Sequence, residues 1–200
     1  MGSGRLRNGQ PAPLKRIMLA APGEAATEIE CSRCRVRDWT LDDRADLVRY
    51  ADNRKIWRNM SHQFPYPYTE ADADDWFARL AAIPDSTHWA IELKGRAAGG
   101  IGVALREGVF SRSAELGYWL GEPFWGRGLM TEVVQAVIPY AMSHFALCRL
   151  EAPVFAWNPA SMRVLEHCGF ECEGVSRASV FKDGELIDRV VYALVDRAGG

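Results

Sequence analysis

No apolar run in this chain approaches the roughly 20 residues that a membrane-spanning helix needs. The basic N-terminal stretch RLRNGQPAPLKRIMLAA falls short of a secretion signal, because IMLAA is briefer than the roughly 7 to 15 apolar residues of a leader core. An excess of one charge is missing as well: 24 Lys and Arg meet 26 Asp and Glu, for a formal charge of −2, which argues against a generic nucleic-acid binder. The five cysteines are odd in number and come without a secretion signal, so they read as reduced thiols. These absences predict a cytoplasmic protein with no membrane and no direct nucleic-acid partner. What is plentiful is apolar residues, 48% of 200, enough to bury one sizeable core. The expected layout is one domain over residues 27–200 after an extension, 1–26, rich in Gly, Pro, Arg and Ala and expected to be mobile. Its MGSG start reads either as an added leader or as a true beginning.

The stretch ELGYWLGEPFWGRGLMT, Glu115 to Thr131, is the most informative. A strand-like run breaks at a proline and enters a Gly-Arg-Gly turn ahead of a helix-like segment. Gly126 and Gly128 allow the main chain close to a ligand, and the amides that open the following helix lack intrahelical acceptors. With the helix dipole and Arg127, that end suits a phosphate. A Walker loop is excluded because, counting from Gly121, Arg127 and Gly128 stand where Lys and Ser or Thr are required, and a dinucleotide fingerprint because Thr131 and Val133 replace its third glycine and neighbours.

Cys31 with Cys34 and Cys168 with Cys172 raise a four-cysteine zinc site. A strand over Ile29 to Arg37 would send side chains three apart to opposite faces, and Cys168 falls where a helix ends at Gly169, so buried apolar cysteines and no metal are expected. Thr40 with Asp43 and Thr69 with Asp72 read as capping pairs opening helices, the first reaching about Ala51. Between them Ile56 to Thr69 reads as an aromatic, Pro-rich loop in which His62, Tyr66 and Tyr68 are candidate substrate contacts. Hairpins are expected for His88–Leu93 with Gly100–Leu105 around Lys94-Gly95, and for 180–182 with 186–194 around Asp183-Gly184. A strand is expected over 113–120, a helix from Gly128 to about Phe145 that kinks or ends early at Pro139, a strand over 149–157 and a helix over 159–168. His88, His144 and His167 read as surface or capping residues, Tyr192 as core packing.

The succession GYWL, PFWGRGLMTE, a helix, VFAWNPAS running into MRVLEHCGF and a terminal DG hairpin resembles the GNAT superfamily of acyl-CoA-dependent N-acyltransferases, in its ribosomal-protein alanine N-acetyltransferase branch. The resemblance spans about Ile29 to Val195. It implies an α+β, three-layer fold: a mixed, mostly antiparallel sheet flanked by helices, with two central strands splayed to admit acetyl-CoA and no metal. Carried over, Trp119 and Leu120 offer main-chain groups to the pantetheine, the amides of Trp125, Gly126, Arg127, Gly128, Leu129 and Met130 hold the pyrophosphate, and Asn158 and Ser161 lie beside the pantetheine and sulfur. One departure is Pro123, where the superfamily often has Gln or Arg. Asn158 before Pro159 is also a helix cap on local grounds. Direct acyl transfer needs a base for the incoming ammonium and a proton for the thiolate; Glu115 is the expected base and Ser161 the expected donor. The acceptor implied is a protein N-terminal amine or a small amine, and a homodimer is open. The alternative is a non-catalytic acyl-CoA-binding module for sensing or partner recognition.

Overall fold

A computed structural model describes residues 27–83 and 87–196, so the expectation for the N-terminal extension lies outside the described residues. Eight strands form one sheet: β1 (Glu28–Glu30), β2 (Arg35–Asp38), β3 (His88–Leu93), β4 (Arg96–Leu105), β5 (Ser113–Leu120), β6 (Arg149–Phe155), β7 (Glu171–Lys182) and β8 (Glu185–Val195), in the order β1-β2-β3-β4-β5-β6-β8-β7. Every pairing is antiparallel except β5 with β6. The helices are α1 (Arg44–Ala51), α2 (Arg54–Trp57), α3 (Glu70–Ala81), α4 (Leu129–His144) and α5 (Pro159–His167).

Strand alternation separates two packing faces. Leu116, Tyr118 and Leu120 of β5 point to the side where Val133, Val134 and Val137 of α4 and Leu165 of α5 complete the main core with Trp89, Ile91 and Leu150. Trp119 points the other way, into a smaller core of Leu47 and Ala51 from α1, Ala73 from α3, and Tyr68. Both capping boxes form: Thr40 with Asp43 opens a 3-10 turn leading into α1, and Thr69 with Asp72 opens α3. Such a cap contributes about 1 kcal/mol.

Several elements differ from expectation. Cys31–Cys34 is the turn of a β1–β2 hairpin, closed by the Cys31 N–H to the Cys34 carbonyl at 3.0 Å, where one continuous strand was expected. A short helix, α2, capped by the Asn53 side chain, occupies the start of the aromatic loop. β4 begins at Arg96 rather than Gly100 because a two-residue turn, Lys94 (φ 53°) and Gly95 (φ 76°), reverses the chain at once. β7 starts at Glu171, with register shifts that hide its alternation in the sequence. Pro139 sits inside α4 without ending it.

Candidate active site

The β5–β6 ladder lasts for three residue pairs, Ser113 with Arg149, Ala114 with Leu150 and Glu115 with Glu151. Beyond Glu115 the strands part, although β5 stays paired with β4 as far as Leu120 and β6 with β8 as far as Phe155. The edge of Leu116–Leu120 that faces β6 is thus left without a strand partner, a place where extended main chain can bind a pantetheine-like amide chain.

At the open end of this wedge β5 runs through the 3-10 turn Glu122–Phe124 into α4. Gly126 (φ 71°) and Gly128 (φ 72°) both take the left-handed conformation, with Gly128 as the cap residue of α4. A Cβ at Gly126 would meet nothing within 4 Å, so the turn faces open space. The first-turn amides of α4 therefore front a cleft, which suits a pyrophosphate. Two details narrow the expected cradle. The Trp125 N–H already donates to the Glu122 carbonyl at 3.1 Å, and the Trp125 indole donates to the Leu120 carbonyl at 2.6 Å. Anion contacts are left to the amides from Gly126 through Met130, and pantetheine contacts to groups other than the Leu120 carbonyl. The Leu129 and Met130 side chains are buried, so only their main chain can serve.

Sequence reasoning missed the support for this loop. Arg33, in the β1–β2 turn, donates from Nη1 to the Arg127 carbonyl at 2.7 Å and from Nε to Glu132 at 2.8 Å; Ser32 Oγ and the Arg33 N–H also donate to Glu132. Burial opposes ionisation of Glu132, but these bonds prevail and hold its carboxyl below the usual range. The turn also corrects the cysteine argument. The hairpin brings Cys31 and Cys34 together, with their sulfurs and a Glu132 oxygen all within 4.8 Å. Both Glu132 oxygens are already engaged by Ser32 and Arg33, and burial pushes the Cys34 thiol up to about 12 and raises that of Cys31. Cys168 lies elsewhere, its sulfur 3.5 Å from the Thr131 carbonyl, and Cys172 is exposed rather than buried.

Asn158 caps α5, accepting from the Ser161 N–H at 3.2 Å. The Ser161 hydroxyl lies 2.8 Å from that of Tyr118, a residue the sequence did not single out; burial raises the Tyr118 phenol, which stays protonated. Ser161 and Tyr118 approach the wedge from the α4/α5 side. Glu115, an odd residue of the same strand, faces the opposite side, 4.0 Å from Arg106, which also binds the neighbouring Glu151 at 3.2 Å. Burial works against a charged Glu151, yet hydrogen bonds from Arg149 and Arg106 keep its carboxyl low.

Of the loop residues, exposed His62 lines the cavity while Tyr66 leans on Trp57 at 5.8 Å outside it. Tyr68 lines the cavity too, but at 6% exposure it is largely packed in the second core, against Phe64 at 5.2 Å, because the chain turns inward to start α3. His88, expected at the surface or in a cap, is half-buried; burial lowers its pKa, and its ring meets Trp76 edge-on at 5.3 Å. Tyr192 is buried and donates to Glu166 at 2.8 Å.

A sheet opened between two parallel strands above a glycine-turned helix start is the architecture of an acyl-CoA-dependent transferase. Residues 33–171 match the acetyltransferase (GNAT) domain model, and the chain belongs to that family. It is 31% identical over 170 residues to the ribosomal protein uS5-alanine N-acetyltransferase of Escherichia coli (strain K12), covering 78% of this chain and 81% of that one. It is 39% identical over 84 residues to the uncharacterized N-acetyltransferase YoaA of Bacillus subtilis (strain 168), covering 42% and 48%. The chain spans about half the length of that relative and of similar Bacillus proteins. Among solved structures, RimJ of Mycobacterium smegmatis in complex with CoA-disulfide superposes with a TM-score of 0.74 at 23% identity, covering 85% of this chain and 86% of that one. Among the described residues no helix is long and apolar enough to cross a membrane.

Proposed function

We propose that the protein transfers the acetyl group of acetyl-CoA directly to a primary amine, a protein N-terminus or a small amine, with the cytoplasm as its place of action. The observation that carries this reading is the wedge itself. It opens beside Glu115, with a carboxylate on one face and the Ser161–Tyr118 hydroxyl pair on the other. A thioester lying in the plane of the sheet would be reached from both sides.

Family membership, the open edge of β5 and the left-handed glycines support acetyl-CoA as cosubstrate, held by the amides from Gly126 to Met130. It supplies an activated acyl group. Glu115, exposed enough to meet an arriving ammonium, takes its proton, directly or through water. Strand amides along Leu116–Leu120 offer hydrogen bonds to the carbonyl oxygen as charge builds there. Ser161, backed by the Tyr118 hydroxyl, gives a proton to the departing sulfur, so the amine proton lost on one face is matched by a thiol proton gained on the other. No covalent enzyme intermediate is required.

The test is thiol release from acetyl-CoA across a panel of amines that includes N-terminal peptides of ribosomal proteins, with mass spectrometry of the acetylated product. Release that depends on one class of amine is the expected result. CoA binding with no amine-dependent release across the panel would overturn the catalytic reading.

A further inference from the structure

At the open end of the wedge, on the Glu115 face, the acceptor side of the cavity carries positive charge that the protein neutralises only in part, through Asp183. Arg189 of β8 lines the cavity; its Nε is shielded from solvent without a hydrogen-bond partner, and its side chain has no ion pair among the described residues. The adjacent acid is turned away, since Asp188 accepts from the Ala178 N–H at 2.8 Å in the β7 bulge. Arg58, just after α2, adds a second cation. Its Nε is shielded and without a hydrogen-bond partner, held only in a long ion pair, and its guanidinium carbon lies 4.2 Å from the centre of the Trp157 ring. Its nearest carboxylate, Asp183, is 3.8 Å away and already bonded at 2.7 Å to Arg54. Lys182 lies 4.0 Å over the Trp57 ring. Shielded guanidinium donors without partners are costly unless a ligand satisfies them.

Register connects these cations to the reacting row. Glu115 pairs with Glu151 and Glu151 with Ala193, while Phe155 pairs with Arg189. Arg189 is four residues from Ala193, hence on the same face and about 13 Å along the strand. The two strand spacings from β5 to β8 add about 10 Å at right angles, so the two main chains stand about 16 Å apart, and a glutamate and an arginine leaning toward each other leave a gap of about one to two amino-acid residues.

We propose that Arg189 and Arg58 form an anion subsite that selects acceptor amines bearing a carboxylate or phosphate about one to two residues from the reacting nitrogen. This rests on the acetyltransferase reading and names its substrate class. The Trp157 ring lies against the Arg58 guanidinium and the Trp57 ring against the Lys182 ammonium, and apolar cover of this kind strengthens a charge-assisted bond to an arriving anion.

The test uses amidated peptides in matched pairs, Ala-Glu-Gly against Ala-Gln-Gly and Ala-phosphoserine-Gly against Ala-Ser-Gly, in two measurements. Calorimetry on the CoA-loaded protein reads binding without turnover, and kcat/KM with acetyl-CoA reads transfer. Wild type should favour the anionic member of at least one pair by about 10-fold or more in both measurements, and the pair concerned distinguishes carboxylate from phosphate. R189Q should bring the preference to within about twofold of unity, while R189K keeps most of it. R58Q should reduce it as well. Equal binding of the anionic and neutral members by wild type overturns the proposal, as does a preference that survives in folded R189Q. A weakened acetyl-CoA affinity in R189Q, with acceptor preference intact, would assign the cation to the cofactor phosphates and also overturns it. Discrimination in calorimetry without any transfer would leave the subsite standing and count against the acetyltransferase reading.

Discussion

The two ends of the cleft are built from different materials. The end proposed for the cofactor is main chain: an unpaired strand edge, two left-handed glycines and the first amides of α4. The end proposed for the acceptor is side chain: Trp57 at the end of α2 and Arg58 just after it, Trp157 beyond β6, Lys182 at the tip of β7 and Arg189 on β8, segments far apart in sequence and gathered by the fold. A main-chain site demands particular backbone angles, and these demands write themselves locally as Gly, Pro and a helix start. A side-chain site demands only that certain residues meet, and no short stretch records the meeting. One end is therefore fixed for a single cosubstrate, and the other can change its acceptor by substitution.

The largest expected effect lies where the ends meet. Glu115→Gln should lower kcat by roughly 10²-fold to 10⁴-fold if the carboxylate takes the amine proton. Calorimetric affinities for CoA and for acceptor should stay close to wild type. Retention of near wild-type turnover, with chemistry limiting the rate, would remove Glu115 from the mechanism.

Ser161→Ala should cost about 10²-fold in kcat with little change in CoA affinity, because a donor aimed at developing thiolate charge acts in the transition state. Tyr118→Phe keeps the serine and should cost less, about fivefold, by removing the hydroxyl 2.8 Å behind it. If the tyrosine substitution is the more damaging of the two, the proton comes from Tyr118 and Ser161 only orients it.

Gly128→Glu attacks the main-chain end alone. At φ 72° any side chain is strained, and a carboxylate there would repel phosphates. CoA affinity should fall by about 30-fold in a protein that still melts cooperatively. Unchanged affinity would move the pyrophosphate away from this turn.

The same contrast explains what the sequence disclosed. Five strands, β3 to β6 and β8, and all the longer helices were legible from alternation, capping pairs and turn residues; the 113–120 strand matches residue for residue, while only the last three residues of β7 were foreseen. The β1–β2 hairpin was not, because its turn, Cys31-Ser32-Arg33-Cys34, holds no Gly, Pro, Asn or Asp to announce a reversal. That one miss carried a second with it: a continuous strand would separate Cys31 from Cys34, and the turn joins them. Tyr118 escaped notice because an aromatic on an apolar strand face reads as core, which it also is; only its 2.8 Å approach to Ser161 gives it another role. Tyr68 shows the reverse. Its aromatic loop read as a binding surface, and the residue does line the cavity, but two positions before α3 it also turns inward to fill the second core.

The smallest expected effect probes where the contrast breaks down, since the main-chain end leans on one side chain. Arg33 Nη1 donates to the Arg127 carbonyl, between the two glycines, while its Nε and N–H hold Glu132 in the first turn of α4. Pulling that carbonyl toward the β1–β2 turn fixes the peptide planes on either side, so that the following amides stay turned to the cleft. The arginine is half-exposed, so screening limits its ion pair to a modest contribution to stability. Its larger effect should be on loop geometry. Arg33→Ala is expected to raise the KM for acetyl-CoA about fivefold with kcat little changed, the loss of one charge-assisted bond per loop. Arg33→Lys should recover only part, because an ammonium cannot span both partners as the guanidinium fork does. The decisive control is a short acetyl thioester that lacks the diphosphate, such as S-acetyl-N-acetylcysteamine. If Arg33 acts by orienting the phosphate-binding amides, Arg33→Ala should process the short thioester as wild type does. An equal loss with both donors would mean that Arg33 merely supports the fold around the wedge, and the glycine turn would then hold its shape without help.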